Sequence, residues 1–113
     1  MQTRLTKKFQ FSASFKNGER MIGHNYVFGV VTQALSEADE KAFENTVRRL
    51  LIDRIDSRDL GLNVEFLKNI EINELNLLKS FWKLLEHEIL PLRLSEIFLE
   101  KDGRSQVALF KDA

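Results

Sequence analysis

The sequence predicts an α+β fold: a four-stranded antiparallel sheet with two helices on one face. Three observations predict it. Apolar residues recur with period two near both ends of the chain. Two stretches of helical periodicity lie between them. Each strand-rich end also carries a tight-turn dipeptide, Asn17-Gly18 and Asp102-Gly103. The order is therefore strand-strand-helix-helix-strand-strand, and two hairpins can share one sheet that the helices cover on one side.

The first strand runs from Thr3 to Phe15. Leu5, Phe9, Phe11, Ala13 and Phe15 fall on one face, and Arg4, Thr6, Lys8, Gln10, Ser12 and Ser14 on the other. Asn17-Gly18 is the turn, because both residue types tolerate positive φ. The second strand, Tyr26 to Leu35, is apolar on both faces and so expects cover on both sides. Ser36 is an N-cap, and Glu37, Asp39 and Glu40 favour the positive end of the helix that follows, to about Arg54. Phe43, Val47, Leu50 and Leu51 form its apolar stripe.

An irregular stretch, Asp56 to Asn63, precedes a second helix. It is capped near Asn73, buries Leu75, Leu78, Phe81, Trp82, Leu85 and Ile89, and stops at Pro91. Leu92–Lys101 and Arg104–Phe110 then flank Asp102-Gly103 as the last hairpin. The helices cover one face only, so an apolar face and two sheet edges stay open. We expect a homo-oligomer whose sheets join edge to edge, as in a closed barrel.

Composition narrows the function. At 113 residues the chain makes one domain, 1–113, with a single modest core. Seventeen basic residues balance seventeen acidic ones, without the basic field that nucleic acid or an anionic membrane would attract. There is no cysteine, which excludes disulfides, thiolate metal sites and a thiol nucleophile. No apolar run reaches the length of a signal peptide or a membrane span, so a cytoplasmic location is expected. No phosphate loop and no Ser-His-Asp set is present. Arg48, Arg49, Arg54 and Arg58 suit a helix C-terminus, and His87, between Glu86 and Glu88, is expected in solvent.

The segments Phe11-Ser-Ala-Ser-Phe15, Gly23-His-Asn-Tyr26, Asp56 before Asp59-Leu-Gly-Leu-Asn63, and Phe98-Leu-Glu100 are similar to motifs of the 6-pyruvoyl-tetrahydropterin synthase and 6-carboxy-tetrahydropterin synthase family. The resemblance covers nearly the whole chain. It implies a T-fold, ββααββ subunits whose sheets join into a trimer- or hexamer-like barrel with sites at subunit interfaces. It also implies zinc held by three histidines, at positions that here carry Phe15, Ile22 and His24. A catalytic zinc takes three protein ligands, so no metal is expected here. The family cysteine falls on Gly18, and the proton-transfer histidine beside Ile55-Asp56 falls on Ser57.

Two functional positions keep a usable side chain. Glu19 matches a glutamate that replaces the catalytic cysteine in one subgroup, where it would act as general base. Glu100 matches the glutamate that accepts hydrogen bonds from the pterin ring, with His24 a second ligand contact. The resemblance thus implies a pterin-binding scaffold that has lost the zinc-dependent lyase reaction and needs no cofactor. The alternatives are an assembly or regulatory partner without a small-molecule site, and a metal-independent pterin-converting enzyme with Glu19 as base.

Overall fold

The computed structural model describes residues 3–33, 35–88 and 94–111. Its sheet is organised by one long hairpin. Strands β1 (Arg4–Asn17) and β2 (Arg20–Gln33) pair antiparallel throughout, with Phe9 opposite Phe28 and Phe11 opposite Tyr26. Opposed residues share a face, so Phe9, Phe11, Ala13, Tyr26, Phe28 and Val30 form one buried surface. Strand β2 begins at Arg20 rather than Tyr26. Pairing with β1 recruits Arg20 to Asn25, which have no apolar pattern of their own.

The turn is also displaced by one residue. Asn17 pairs with Arg20, leaving Gly18 and Glu19 as the loop, and Gly18 takes φ 67°. Positive φ at the first loop position alone is the type II′ pattern, which glycine meets without strain. The second hairpin forms at the expected Asp102-Gly103, with a loop one residue longer than expected. Strands β4 (Glu96–Lys101) and β5 (Ser105–Phe110) pair Lys101 with Ser105, so Arg104 joins Asp102 and Gly103, at φ 53° and 68°, in the loop. The Arg104 amide donates to the Lys101 carbonyl at 3.0 Å and closes the turn.

The sheet has five strands and is mixed, which corrects the expected four-stranded antiparallel sheet. A short strand β3 (Arg58–Asp59) pairs parallel with Ala13 and Ser14, giving the order β3-β1-β2-β4-β5. Backbone hydrogen bonding explains it. The edge of β1 offers unpaired carbonyls. Ser57, at φ 60°, donates to Ser12 at 2.6 Å, and Leu60 donates to Ser14 at 2.7 Å. The Leu60 side chain is fully buried and anchors the segment.

Ser36 caps the first helix, accepting from the Asp39 amide at 3.2 Å. Helix α1 (Glu37–Val47) passes through a π-helical turn (Arg48–Ile52) into α2 (Asp53–Ile55). Its buried residues include Phe43, Val47, Leu51 and Ile55, four apart. Such a stride drifts by roughly 40° per step around an α-helix. The wider π turn compensates and keeps Leu51, Ile52 and Ile55 under the sheet.

Helix α3 (Glu74–Glu88) is capped by Asn73, whose side chain accepts from the Asn76 amide at 2.8 Å. It buries Leu77, Leu78, Phe81 and Leu85. The Phe81 ring meets Phe28 edge-on at 5.4 Å and also contacts Phe11 and Phe66. Leu75, expected in this stripe, is 43% exposed. At the α-helical turn per residue it lies roughly 100° from the centre of the buried face. The expectations for Ala34, Ile89, Pro91, Leu92 and the His87 side chain lie outside the described residues.

Both long helices cover the same face of the sheet. On the other face β2 finds cover from within the sheet. The Phe98 ring lies over Gly29, where a Cβ would approach it to 2.0 Å, and Phe98 and Val31 are each only 7% exposed. Phe110, on the edge strand β5, is 67% exposed.

Candidate functional site

One end of the sheet concentrates the polar side chains. Pairing of β1 with β2 sets Ala13 opposite His24 and Phe15 opposite Ile22. Pairing of β2 with β4 sets Tyr26 opposite Lys101, so the following turn residue, Asp102, arrives beside Asn25. The Asp102 amide donates to the Asn25 carbonyl at 2.7 Å, and its carboxylate Oδ1 accepts from the Asn25 amide at 2.8 Å. The other carboxylate oxygen, Oδ2, lies 2.6 Å from Nδ1 of His24. The Asn25 amide, and next the His24 ring, hold the Asp102 carboxyl below its ordinary range.

The His24 imidazole sits between two aromatic rings. Tyr26 meets it edge-on at 5.8 Å, and the centroid of Phe15 is 6.0 Å away. Burial pushes the Tyr26 phenol up to about 12, with Glu74 and Asp102 adding repulsion of the phenolate. Glu74, at the start of α3, bonds Lys101 at 2.7 Å. That hydrogen bond is the main cause of the lowered pKa of Glu74.

Among the described residues, three open cavities surround this end. A groove of 350 Å³ is lined by Ser12, Ser14, His24, Asn25, Ser57, Arg58 and Asp102. A second, of 590 Å³, contains Glu100 with Gln10, Ser12, Asn25, Asp56 and Asp102. The third, of 440 Å³, lies between the first hairpin and the start of α3 and includes Phe15, Tyr26, Glu74 and Lys101. The first two share Ser12, Asn25 and Asp102. Ser12 links them to the rest of the sheet, donating through Oγ to Asn25 at 2.7 Å and through its amide to Asp56 at 3.0 Å.

The candidate residues separate accordingly. Glu100 is half-buried and pairs with Val27 and Gln106, on the face away from the helices. His24 shares the register of buried Ala13 and lines the adjoining groove. Glu19 is exposed at the tip of the first hairpin, five residues before His24. That separation is about 17 Å along an extended strand. Phe15 and Ile22 oppose one another, with His24 two positions along the same face. Among the described residues no three His, Cys, Asp or Glu side chains are grouped so as to hold a metal ion. Trp82 is half-buried against the core, as its helical spacing predicts.

Sequence reasoning missed the partner of His24. Asp102 reads as a turn residue, and 78 positions separate it from His24. The only local signal is the choice of Asp rather than Asn before glycine, which the turn itself does not require. Tyr26 and the Glu74–Lys101 pair likewise look like strand, cap and surface residues until the register places them together.

A mixed sheet with two long helices on one face makes this an α+β protein, and likeness to solved structures gives it a 6-pyruvoyl tetrahydropterin synthase-like fold. The chain is similar to 6-pyruvoyl tetrahydropterin synthase of Caenorhabditis elegans, with a TM-score of 0.74 and 16% identity, covering 99% of this chain and 97% of that one. It is also similar to an uncharacterized protein of Wolinella succinogenes, with a TM-score of 0.69 and 11% identity, over 99% of both chains. No family model and no curated protein matches the sequence. Among the described residues no helix is long and apolar enough to cross a membrane.

Proposed function

We propose that this chain is a single-domain, 6-pyruvoyl tetrahydropterin synthase-like protein that binds a pterin or related heterocycle without zinc, at a subunit interface of a homo-oligomer. The observation that carries this is the trio Phe15, Ile22 and His24. The register brings these positions together on one face, where the family resemblance implies three zinc ligands, yet only His24 has a donor atom. Two hydrocarbon side chains cannot complete a tetrahedral site, and catalytic zinc with one protein ligand would be lost to water. Zinc therefore does not fit this donor set.

Glu100 supports the binding half of the proposal. Its carboxylate lies in a groove whose other polar residues include Gln10, Ser12 and Asn25. Two acceptor oxygens suit the adjacent N–H donors of an aminopyrimidinone ring. The test combines metal analysis of the purified protein with titration of pterin fluorescence. Substoichiometric zinc, with pterin binding that is lost in Glu100→Gln, is the expected result. Stoichiometric zinc overturns the zinc-free half, and unchanged pterin fluorescence overturns the binding half.

A second reading, an assembly partner with no small-molecule site, is favoured by the outer sheet face. There Val27, Val31, Phe98 and Ala108 form an apolar strip running to exposed Phe110. An oligomer by light scattering that ignores pterin selects this reading.

A further inference from the structure

We infer that the cavity between the first hairpin and the start of α3 binds a small zwitterion with an apolar side chain, of the α-amino-acid class, through Tyr26, Glu74 and Lys101. This site is separate from the groove of Glu100, which opens on the other face of the sheet.

The register aims the phenol. Tyr26 pairs with Phe11 on one side and with Lys101 on the other, so all three face the helices. The Tyr26 ring is stacked on Phe11 at 4.8 Å, and the residue is only 3% exposed. Among the described residues no hydrogen bond engages the phenol oxygen, yet every buried side-chain oxygen has a partner. The phenol oxygen must therefore reach open space. On the helix-facing side that space is the 440 Å³ cavity that Tyr26 borders with Phe15, Ile70, Ile72, Glu74 and Lys101. An O–H held at such a wall needs an acceptor from whatever fills the cavity.

The other lining residues set the ligand class. Oε1 of Glu74 and Nζ of Lys101 are 2.7 Å apart, and neither side chain is fully buried. Lys101 and the backbone amide of Glu74 itself engage the carboxylate, which has about four acceptor sites, and the ammonium keeps further hydrogens. Acceptor and donor thus stand side by side at the wall. A simple anion meets repulsion from Glu74, and a simple cation from Lys101. A molecule with ammonium and carboxylate on neighbouring atoms answers both, its ammonium on Glu74 and its carboxylate on Lys101 and the Tyr26 O–H. Phe15, Ile70 and Ile72, each partly buried against the core, receive an aliphatic side chain.

The test titrates the full chain with L-leucine, followed by calorimetry and by the carbon signal of tyrosine labelled at Cζ, which is unambiguous because Tyr26 is the single tyrosine. Saturable binding that moves this signal is expected. Isocaproate, which lacks the ammonium, isoamylamine, which lacks the carboxylate, and glycine, which lacks the side chain, are each expected to bind at least tenfold more weakly. Tyr26→Phe keeps the ring and its stacking, so the fold is retained, and weakens L-leucine at least threefold. Glu74→Gln removes the negative charge and brings isocaproate level with L-leucine. A tyrosine signal that L-leucine leaves in place overturns the site. Equal affinity for L-leucine and either single-charge analogue in the unsubstituted chain overturns the zwitterion class, and undiminished affinity in Tyr26→Phe overturns the role of the phenol. None of these readings depends on zinc or on Glu100, so they fail separately from the pterin proposal.

Discussion

Phe15 and Ile22 face each other directly across the first hairpin, and His24 follows on the same face with its ring centroid 6.0 Å from that of Phe15. Directly opposed residues hold their Cβ atoms about 5 Å apart, near enough for two imidazoles to meet one ion. The backbone therefore sets three side chains on one face at spacings that histidines could share around one ion, and of the three only His24 carries a donor atom. Phe15→His with Ile22→His is expected to bind about one zinc per chain, as a three-histidine site does. The unsubstituted protein should bind far less than one. Metal analysis after gel filtration checks this, and a double variant that stays metal-free would show that the strands do not converge as described.

Gly29 is fixed by a neighbour rather than by its own torsions. A Cβ there would meet the Phe98 ring at 2.0 to 2.5 Å, closer than any carbon pair tolerates. Gly29→Ala must displace the ring, and overpacking of this kind costs about 1–3 kcal/mol. Urea unfolding should show that loss. Adding Phe98→Leu removes the clashing edge, so the two changes together should cost less than their sum.

Much of the fold is legible because alternation and capping are local. The β1 stripe, the Ser36 and Asn73 caps and the Asp102-Gly103 turn all follow from neighbouring residues. What is not legible depends on partners distant in sequence. Strand β3 exists because Ser57 and Leu60 find the Ser12 and Ser14 carbonyls, and nothing within Asp56 to Asn63 announces it. Lys7 lies on the helix-facing side of β1 yet is charged, and its partners are Glu40 and Glu44 of α1, 3.1 and 3.7 Å away. The site divides in the same way. His24 and Glu100 stand out in the sequence, whereas Asp102 gains meaning only once the second hairpin docks.

Tyr26 gives a direct measure of that docking. It is the only tyrosine, so its ultraviolet titration is unambiguous. Burial, then Glu74 and Asp102, push its phenol up to about 12. An unfolded tyrosine ionises near pH ~10. The contribution to stability is therefore complete below that pH and is lost as pH rises through the folded value, because the unfolded chain sheds its proton first. Glu74→Gln should lower the midpoint in the folded protein by removing one of the two nearby negative charges. A midpoint at the ordinary value would contradict the burial of this ring.

Asp102 works in the opposite direction. Its carboxyl is lowered chiefly by the Asn25 amide and then by the His24 ring. Carboxylates in the unfolded chain protonate near pH ~3.9. The stabilisation by Asp102 is thus present above that pH and lost as pH falls through the lower folded value, where the folded state must take up a proton that its hydrogen bonds oppose. Carbon NMR of the carboxyl group should give a midpoint below the unfolded one. His24→Gln should raise that midpoint only part of the way, since the Asn25 amide remains as the larger cause. Asp102→Asn should flatten this segment of the stability curve between neutral pH and pH ~3. If His24→Gln restored the full ordinary value, the imidazole rather than the backbone amide would be the principal partner of this carboxylate.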